Sequence, residues 1–228
     1  MARVVVLDID DTLFLERDYV RSGFAAVDAE VAKEHGLKGF SECAWRLFCA
    51  GVRGRIFDEA LKVLGVELQS AALADLVAVY RSHLPRIELT CDSLRFLNAV
   101  RRQGLPLAVV SDGFYVAQKA KVSALGLETF ISPIVLTDAF GRDGWKPSDR
   151  GYLEVFGRFG GSHKDYIYIG DNPNKDFVAP NALGWRTIRI RRPLGEHALT
   201  SASGEDQAAQ HEIASFDELL VEPLRDLL

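Results

Sequence analysis

Apolar residues fall along this chain in two patterns. Five short runs, Arg3–Asp8, Pro106–Ser111, Pro133–Leu136, Tyr166–Gly170 and Trp185–Ile190, are rich in β-branched and aromatic residues, and most stop at Gly, Asp or Ser. Near-continuous apolar character over so short a run predicts strands buried on both faces, hence a parallel sheet. Between them, Asp92–Gln103, Phe114–Leu125 and Asp149–Phe159 read as crossover helices, with Leu94, Leu97 and Val100 marking one stripe. Gly104 and Gly126 stand where helix C-terminal caps belong. Alternation of this kind predicts an α/β fold, with a doubly wound parallel-sheet Rossmann-like core.

Residues 17–84 break the alternation. No strand pattern occurs there, while Val20, Phe24, Val27 and Val31, and then Leu73, Leu76, Val77 and Tyr80, keep helical spacing. The expected organisation is a small helical cap at 17–84 inserted into a core made of 1–16 and 85–228. Near the end, Pro180 interrupts a helical pattern, marking a break or the first turn of a new helix. Gly195–Gln210 is polar and reads as a mobile loop, and Ser215 with Glu218 forms a capping box for a last helix through Leu219 and Leu220.

Composition narrows the class. Of the 228 residues 48% are hydrophobic, enough to bury a real core, and a net charge of −5 argues against a general nucleic-acid binder. No apolar run is long enough to cross a bilayer, and the apolar stretch Val4–Leu7 lacks the parts of a signal peptide. Cys43, Cys49 and Cys91 form no CxxC and read as small packing residues. A soluble cytoplasmic protein is expected, acting on a small molecule rather than on a nucleic acid or a membrane. Its oligomeric state is not legible.

The chemistry gathers at strand ends. The first strand runs into Asp8, Asp10 and Asp11, and alternation along an extended chain points Asp8 and Asp10 the same way. Adjacent carboxylates repel unless a cation or shared proton relieves them, and oxygen ligands of this kind suit Mg²⁺. The second run ends in Ser111-Asp112-Gly113 before a helix, a phosphate cradle of hydroxyl and helix N-terminus. Lys146, fixed before Pro147, can neutralise phosphate charge. The fourth run ends in Gly170-Asp171, with Asp176 five residues on. In an open α/β sheet all four ends lie along one edge, where they assemble nucleophile, metal, phosphate clamp and acid/base.

In this order, D8-I-D10-D-T12, S111-D-G, K146-P and G170-D171-N-P-N-K-D176 resemble the motifs of the haloacid dehalogenase superfamily in its phosphatase branch. The likeness covers the core, and the helical insertion matches the family's cap placed directly after the first motif. It implies Asp8 as nucleophile and metal ligand, and Asp10 as general acid then base, with its backbone carbonyl on Mg²⁺. Thr12 would support the loop. Ser111 and Lys146 would bind the transferring phosphoryl group with backbone N–H groups near Asp112 and Gly113. Asp171 would complete the metal site and Asp176 support it. An acid at position 10 favours phosphatase or phosphomutase over dehalogenase.

The reading is thus an Mg²⁺-dependent phosphatase of a small phosphorylated metabolite, working through an aspartyl-phosphate. A phosphomutase of the same superfamily and a receiver-like phosphoacceptor domain are the alternatives. Arg53 and Arg55 are candidate substrate contacts from the cap.

Overall fold

The computed structural model describes residues 3–221. Six strands, β1 (Val4–Leu7), β2 (Leu107–Ser111), β3 (Ile134–Leu136), β4 (Tyr166–Gly170), β5 (Arg186–Ile190) and β6 (His211–Ile213), form one sheet in the order β3-β2-β1-β4-β5-β6. Every pairing is parallel. This is the doubly wound Rossmann-like order, and the chain reverses its direction of travel between β1 and β4, where such sheets bind their ligands.

The predicted strands are found at the five apolar runs. Every residue of β1, β2 and β4 is buried, as expected for strands covered on both sides. Val4, Val6, Ala108, Val110, Tyr166 and Tyr168 pack on one face with Tyr152, Val155 and Trp185. On this face Tyr152 meets Tyr168 and Trp185 edge-on at 5.0 and 5.6 Å between ring centres, the geometry aromatic quadrupoles favour. The sixth strand has no apolar run to betray it. It is three residues long, only Ile213 is buried, and it closes the sheet edge through a register of Ile190 with Ile213.

Crossover helices α5 (Cys91–Arg102), α6 (Tyr115–Ala124) and α7 (Arg150–Phe159) stand between the strands. Gly104 and Gly126 have left-handed backbones just past α5 and α6. The stripe on α5 differs from expectation: Ser93, Phe96, Leu97 and Val100 face inward, while Leu94 is 43% exposed. The inward set follows the 93, 96, 97, 100 helical spacing, which a small serine does not advertise. Pro180 sits in the first turn of α8 (Val178–Ala182), where an absent N–H costs nothing. The capping box at Ser215 and Glu218 is present, but it opens a 3₁₀ turn, Phe216–Leu220, rather than an α-helix.

Contacts divide the chain into two compact units. One comprises the chain up to Arg17 and from Glu88 on; the other is Asp18–Ile87. The second holds most of α1 (Glu16–His35) with α2 (Phe40–Cys49), α3 (Ile56–Val63) and α4 (Ser70–Ser82). Its own core is aromatic: Phe57 meets Phe40 and Tyr80 edge-on at 5.4 and 5.7 Å, above Val27, Val31 and Leu76. Among the described residues no helix is long and apolar enough to cross a membrane. Of the three cysteines only Cys43 is buried; Cys49 and Cys91 are exposed, so the packing expectation fails for two of them.

Candidate active site

The loop after β1 makes a tight turn in which the Thr12 and Leu13 amides donate to the Ile9 carbonyl. Asp11 takes a left-handed backbone with φ 48°, which aspartate tolerates better than most residues. Its carboxylate is spent on the loop, accepting the Glu16 amide at 2.9 Å and the Glu196 amide at 2.7 Å. Thr12 supports the turn through its backbone: the Arg192 guanidinium donates to its carbonyl at 3.0 and 2.7 Å. Arg192 is buried and also pairs with Asp92 and donates to Ser93 Oγ. Asp92 in turn accepts from Ser215 Oγ and the Phe216 amide. Burial works against ionising Asp92, yet the Thr90 hydroxyl, the Phe216 amide, Arg192 and the Ser215 hydroxyl hold its carboxyl down at about 2.

Asp8 leaves β1 directly toward the switch point, its amide donating to the Ile169 carbonyl of β4 at 2.9 Å. Lys146, from the segment before α7, reaches the same place with its side chain fully enclosed. Its Nζ lies 2.7 Å from Asp176 Oδ1, 3.1 Å from Asp8 Oδ1 and 3.0 Å from Tyr168 Oη. Asp176 Oδ2 accepts the Asp171 and Asn172 amides at 3.1 and 2.9 Å. Both oxygens of Asp176 are therefore occupied in holding the lysine and the turn after β4.

The carboxylates of Asp8, Asp171 and Asp176 lie together, with one oxygen of each within 4.8 Å of the others, all buried. Asp8 Oδ1, though close to Lys146, receives no aligned hydrogen bond. An oxygen-only set with one orphaned buried oxygen is the chemistry of a hard divalent cation such as Mg²⁺, so the residues fit that ion. Burial pushes the Asp8 carboxyl up to about 6 against the pull of Lys146. Burial, then the charges of Asp176 and Asp8, raise Asp171 well above its ordinary range.

A raised carboxyl stabilises the fold below its unfolded pKa, near 4, and loses that contribution as pH rises through its folded value. Without metal, Asp8 therefore becomes a liability between about pH 4 and 6. A bound cation needs the deprotonated form. The rise in Tm on adding Mg²⁺ over EDTA should be larger at about pH 8 than at about pH 5, by roughly 3–5 °C. Equal rises at both pH values would sink this account.

Ser111 ends β2, and the following Gly113, with φ 128°, has no room for a Cβ without pressing on Gln118 at 3.1 Å. Asp112 turns inward. Its Oδ1 accepts from Thr137 Oγ1 at 2.7 Å and from the Lys146 amide at 3.0 Å, and its Oδ2 pairs with Lys175 at 2.8 Å. Its burial resists ionisation, but Lys146 and Lys175 keep its carboxyl below the usual range. Asp112 thus ties the end of β2 to the segments that follow β3. The Asp10 carboxylate meets α6, where Lys121 and Gln118 hold it.

Several of these partners carry no sequence signal read above. Gln118, Lys121 and Lys175 are polar residues on helical or turn segments that look solvent-facing. The head of the stretch expected to be mobile is fastened: Arg189 donates to the His197 and Thr200 carbonyls at 2.7 and 2.8 Å, and His197 Nε2 lies 2.9 Å from Asn172 Nδ2. In the helical unit, Arg53 and Arg55 are exposed. Arg53 donates to the Phe48 and Val52 carbonyls and lies 3.9 Å over the Phe48 ring.

Comparison with known proteins bears on this site. A family profile described as haloacid dehalogenase-like hydrolase matches residues 2–184. A glyceraldehyde 3-phosphate phosphatase of Methanopyrus kandleri is 26% identical over 96% of both chains. A ribulose-1,5-bisphosphate 5-phosphatase of Halopiger xanaduensis is 24% identical over 96% of this chain and 98% of its own. Among solved structures, a HAD hydrolase of Bacillus subtilis bound to magnesium shares the fold, with a TM-score of 0.66 at 19% identity over 96% of both chains.

Proposed function

Because this chain belongs to the haloacid dehalogenase-like hydrolases, we propose that it is an Mg²⁺-dependent phosphatase that hydrolyses a small phosphorylated metabolite through a phosphoryl group carried on Asp8. The observation that carries the reading is the pairing of a buried Asp8, one oxygen lacking a hydrogen-bond donor, with the enclosed Lys146 3.1 Å away. A carboxylate so placed is poised to form a bond, and its ammonium neighbour to offset the charge of what it attacks. The two curated relatives, phosphatases of small sugar phosphates by name, support the substrate class.

In the first step an Asp8 oxygen attacks phosphorus while Asp10 gives its proton to the departing alcohol oxygen. Ser111 Oγ and the Lys146 ammonium hold the equatorial oxygens, with the backbone N–H groups around Asp112 and Gly113. In the second step Asp10, now a base, takes a proton from the water that attacks the phosphoryl group, and Asp8 is released. Asp8, Asp171 and the Asp10 carbonyl are the groups that would hold Mg²⁺, with Asp176 and Thr12 supporting them. When bound, the ion screens the repulsion between the Asp8 and phosphate anions.

We assign the helical unit, expected at 17–84, the role of a cap that excludes water and reads the leaving group, with Arg53 and Arg55 as substrate contacts. Phosphate release from p-nitrophenyl phosphate and a metabolite panel, with Mg²⁺ and with EDTA, tests the whole. Turnover should appear with Mg²⁺ and vanish with EDTA. Transfer of phosphate to a second hydroxyl without release would favour a phosphomutase, and a stable phosphoprotein without turnover would favour a receiver-like domain. On the cognate substrate, Arg53→Ala and Arg55→Ala should lower kcat/KM; unchanged values would remove both arginines from the site.

A further inference from the structure

Helix α6 buries a polar face. Gln118 is 1% and Lys121 4% exposed, beside Ala117 and Val122. Being three apart, the two side chains rise from one side of the helix. Taking an amide and an ammonium out of water is costly unless each finds partners, and here both reach Asp10. Lys121 Nζ donates to Asp10 Oδ1 at 2.6 Å, and Gln118 Nε2 donates to Asp10 Oδ2 at 2.8 Å. The same nitrogen, with two hydrogens to share among its acceptors, also lies 3.0 Å from Ser111 Oγ and meets the Asp112 carbonyl. Its Oε1 is buried and, among the described residues, has no partner. The amide is thus oriented by its acceptors alone, and one nitrogen joins the Asp10 carboxylate to the Ser111 hydroxyl.

We propose that Gln118 and Lys121 are positioning residues for proton transfer, a two-donor clamp that sets the Asp10 carboxyl at a fixed distance from the phosphoryl-binding Ser111. The inference rests on Asp10 being the acid and base. Asp10 sits on a loop with its side chain 18% exposed, so without the clamp the carboxyl is free to swing among rotamers. With it, both oxygens are referred to a rigid helix that also fixes the phosphate end of the site. The step served is the breaking of the P–O bond to the alcohol as the Asp8 O–P bond forms. The bonding pair goes to the leaving oxygen, which receives the Asp10 proton.

Leaving groups expose this role. An alkoxide needs the proton as it departs, while p-nitrophenolate leaves without it. The value of kcat/KM reports the first step for both. For Gln118→Met and Lys121→Met, the ratio of kcat/KM for an alkyl phosphate to that for p-nitrophenyl phosphate should fall about tenfold or more, and Asp10→Asn should lower it further. Lys121→Arg should recover part of the loss. A general weakening of the fold or of phosphate binding lowers both substrates together and leaves the ratio unchanged, and that outcome overturns the clamp. Thermal unfolding shows that each variant is folded, and Gln118→Met, near in length and shape, carries the test if Lys121→Met is too unstable. A normal ratio in Asp10→Asn would overturn the acid assignment and the clamp with it. A low ratio in Asp10→Asn beside normal ratios in both α6 variants would overturn the clamp alone.

Discussion

Asp8→Asn should abolish turnover while making the metal-free protein more stable. The two effects come from one cause. The carboxylate is buried, and its carboxyl is pushed up to about 6, so at neutral pH the fold carries an anion it would rather protonate. Asparagine keeps the shape and removes the charge, while Lys146 keeps Asp176 at 2.7 Å. The shift from an ordinary carboxyl places an upper bound of roughly 3 kcal/mol on the stability gained. Activity moves the other way, because an amide cannot carry the phosphoryl group. Loss of a nucleophile removes on the order of 10⁴-fold or more from kcat. Differential scanning calorimetry in EDTA, set beside phosphate release in Mg²⁺, reads both. A variant that keeps a tenth of the wild-type rate would end the proposal for Asp8.

Lys146→Met should have the largest cost in stability. The ammonium lies between the Asp8 and Asp176 carboxylates, with its side chain fully buried. Burial alone would lower its affinity for a proton, but Asp176 and Asp8 hold it well above the ordinary lysine value. Removing one partner of a buried ion pair typically costs about 3–5 kcal/mol, because the charge left behind stays out of water. The urea midpoint should fall accordingly in EDTA, and added Mg²⁺ should restore part of it by neutralising the same carboxylates. Activity should drop about 10²- to 10³-fold even when the protein is refolded in Mg²⁺, if Lys146 is the proposed donor to the phosphoryl oxygens. An unchanged urea midpoint in EDTA would show that these carboxylates do not depend on this lysine.

What is legible in the chain is what repeats or punctuates. β1, β2 and β4 announce themselves because both faces are apolar, and residues at their ends share one edge of the sheet by topology alone. The edge strand β6 was illegible because its neighbours on one side are solvent and its sequence, His-Glu-Ile, has no period to detect. Gln118 and Lys121 were illegible for a different reason. On a helix, a buried glutamine or lysine looks the same in sequence as a solvated one, and only the packing of α6 beside the Asp10 loop decides which it is. Arg192 is the same case at greater distance: its partners Thr12 and Asp92 lie 180 and 100 residues away. The supporting role expected of Asp176 stays a proposal; its two oxygens meet Lys146 and the turn after β4.

The Arg192 bridge lets residues beyond the motifs govern the turn that carries Asp10. All four motifs are complete by Asp176, and a gene shortened soon after would still score as whole by its signature residues. Yet the turn that carries Asp10 hangs by the Thr12 carbonyl from Arg192, which is itself braced through Asp92 by Ser215 and Phe216. Asp171 is fastened by its carbonyl to Arg189 at 3.0 Å. Residues 189–216 lie beyond the last motif and still fasten the loops that carry Asp10 and Asp171. Drift or truncation in that unremarked tail is therefore a route by which a protein of this kind can keep every motif and lose its activity.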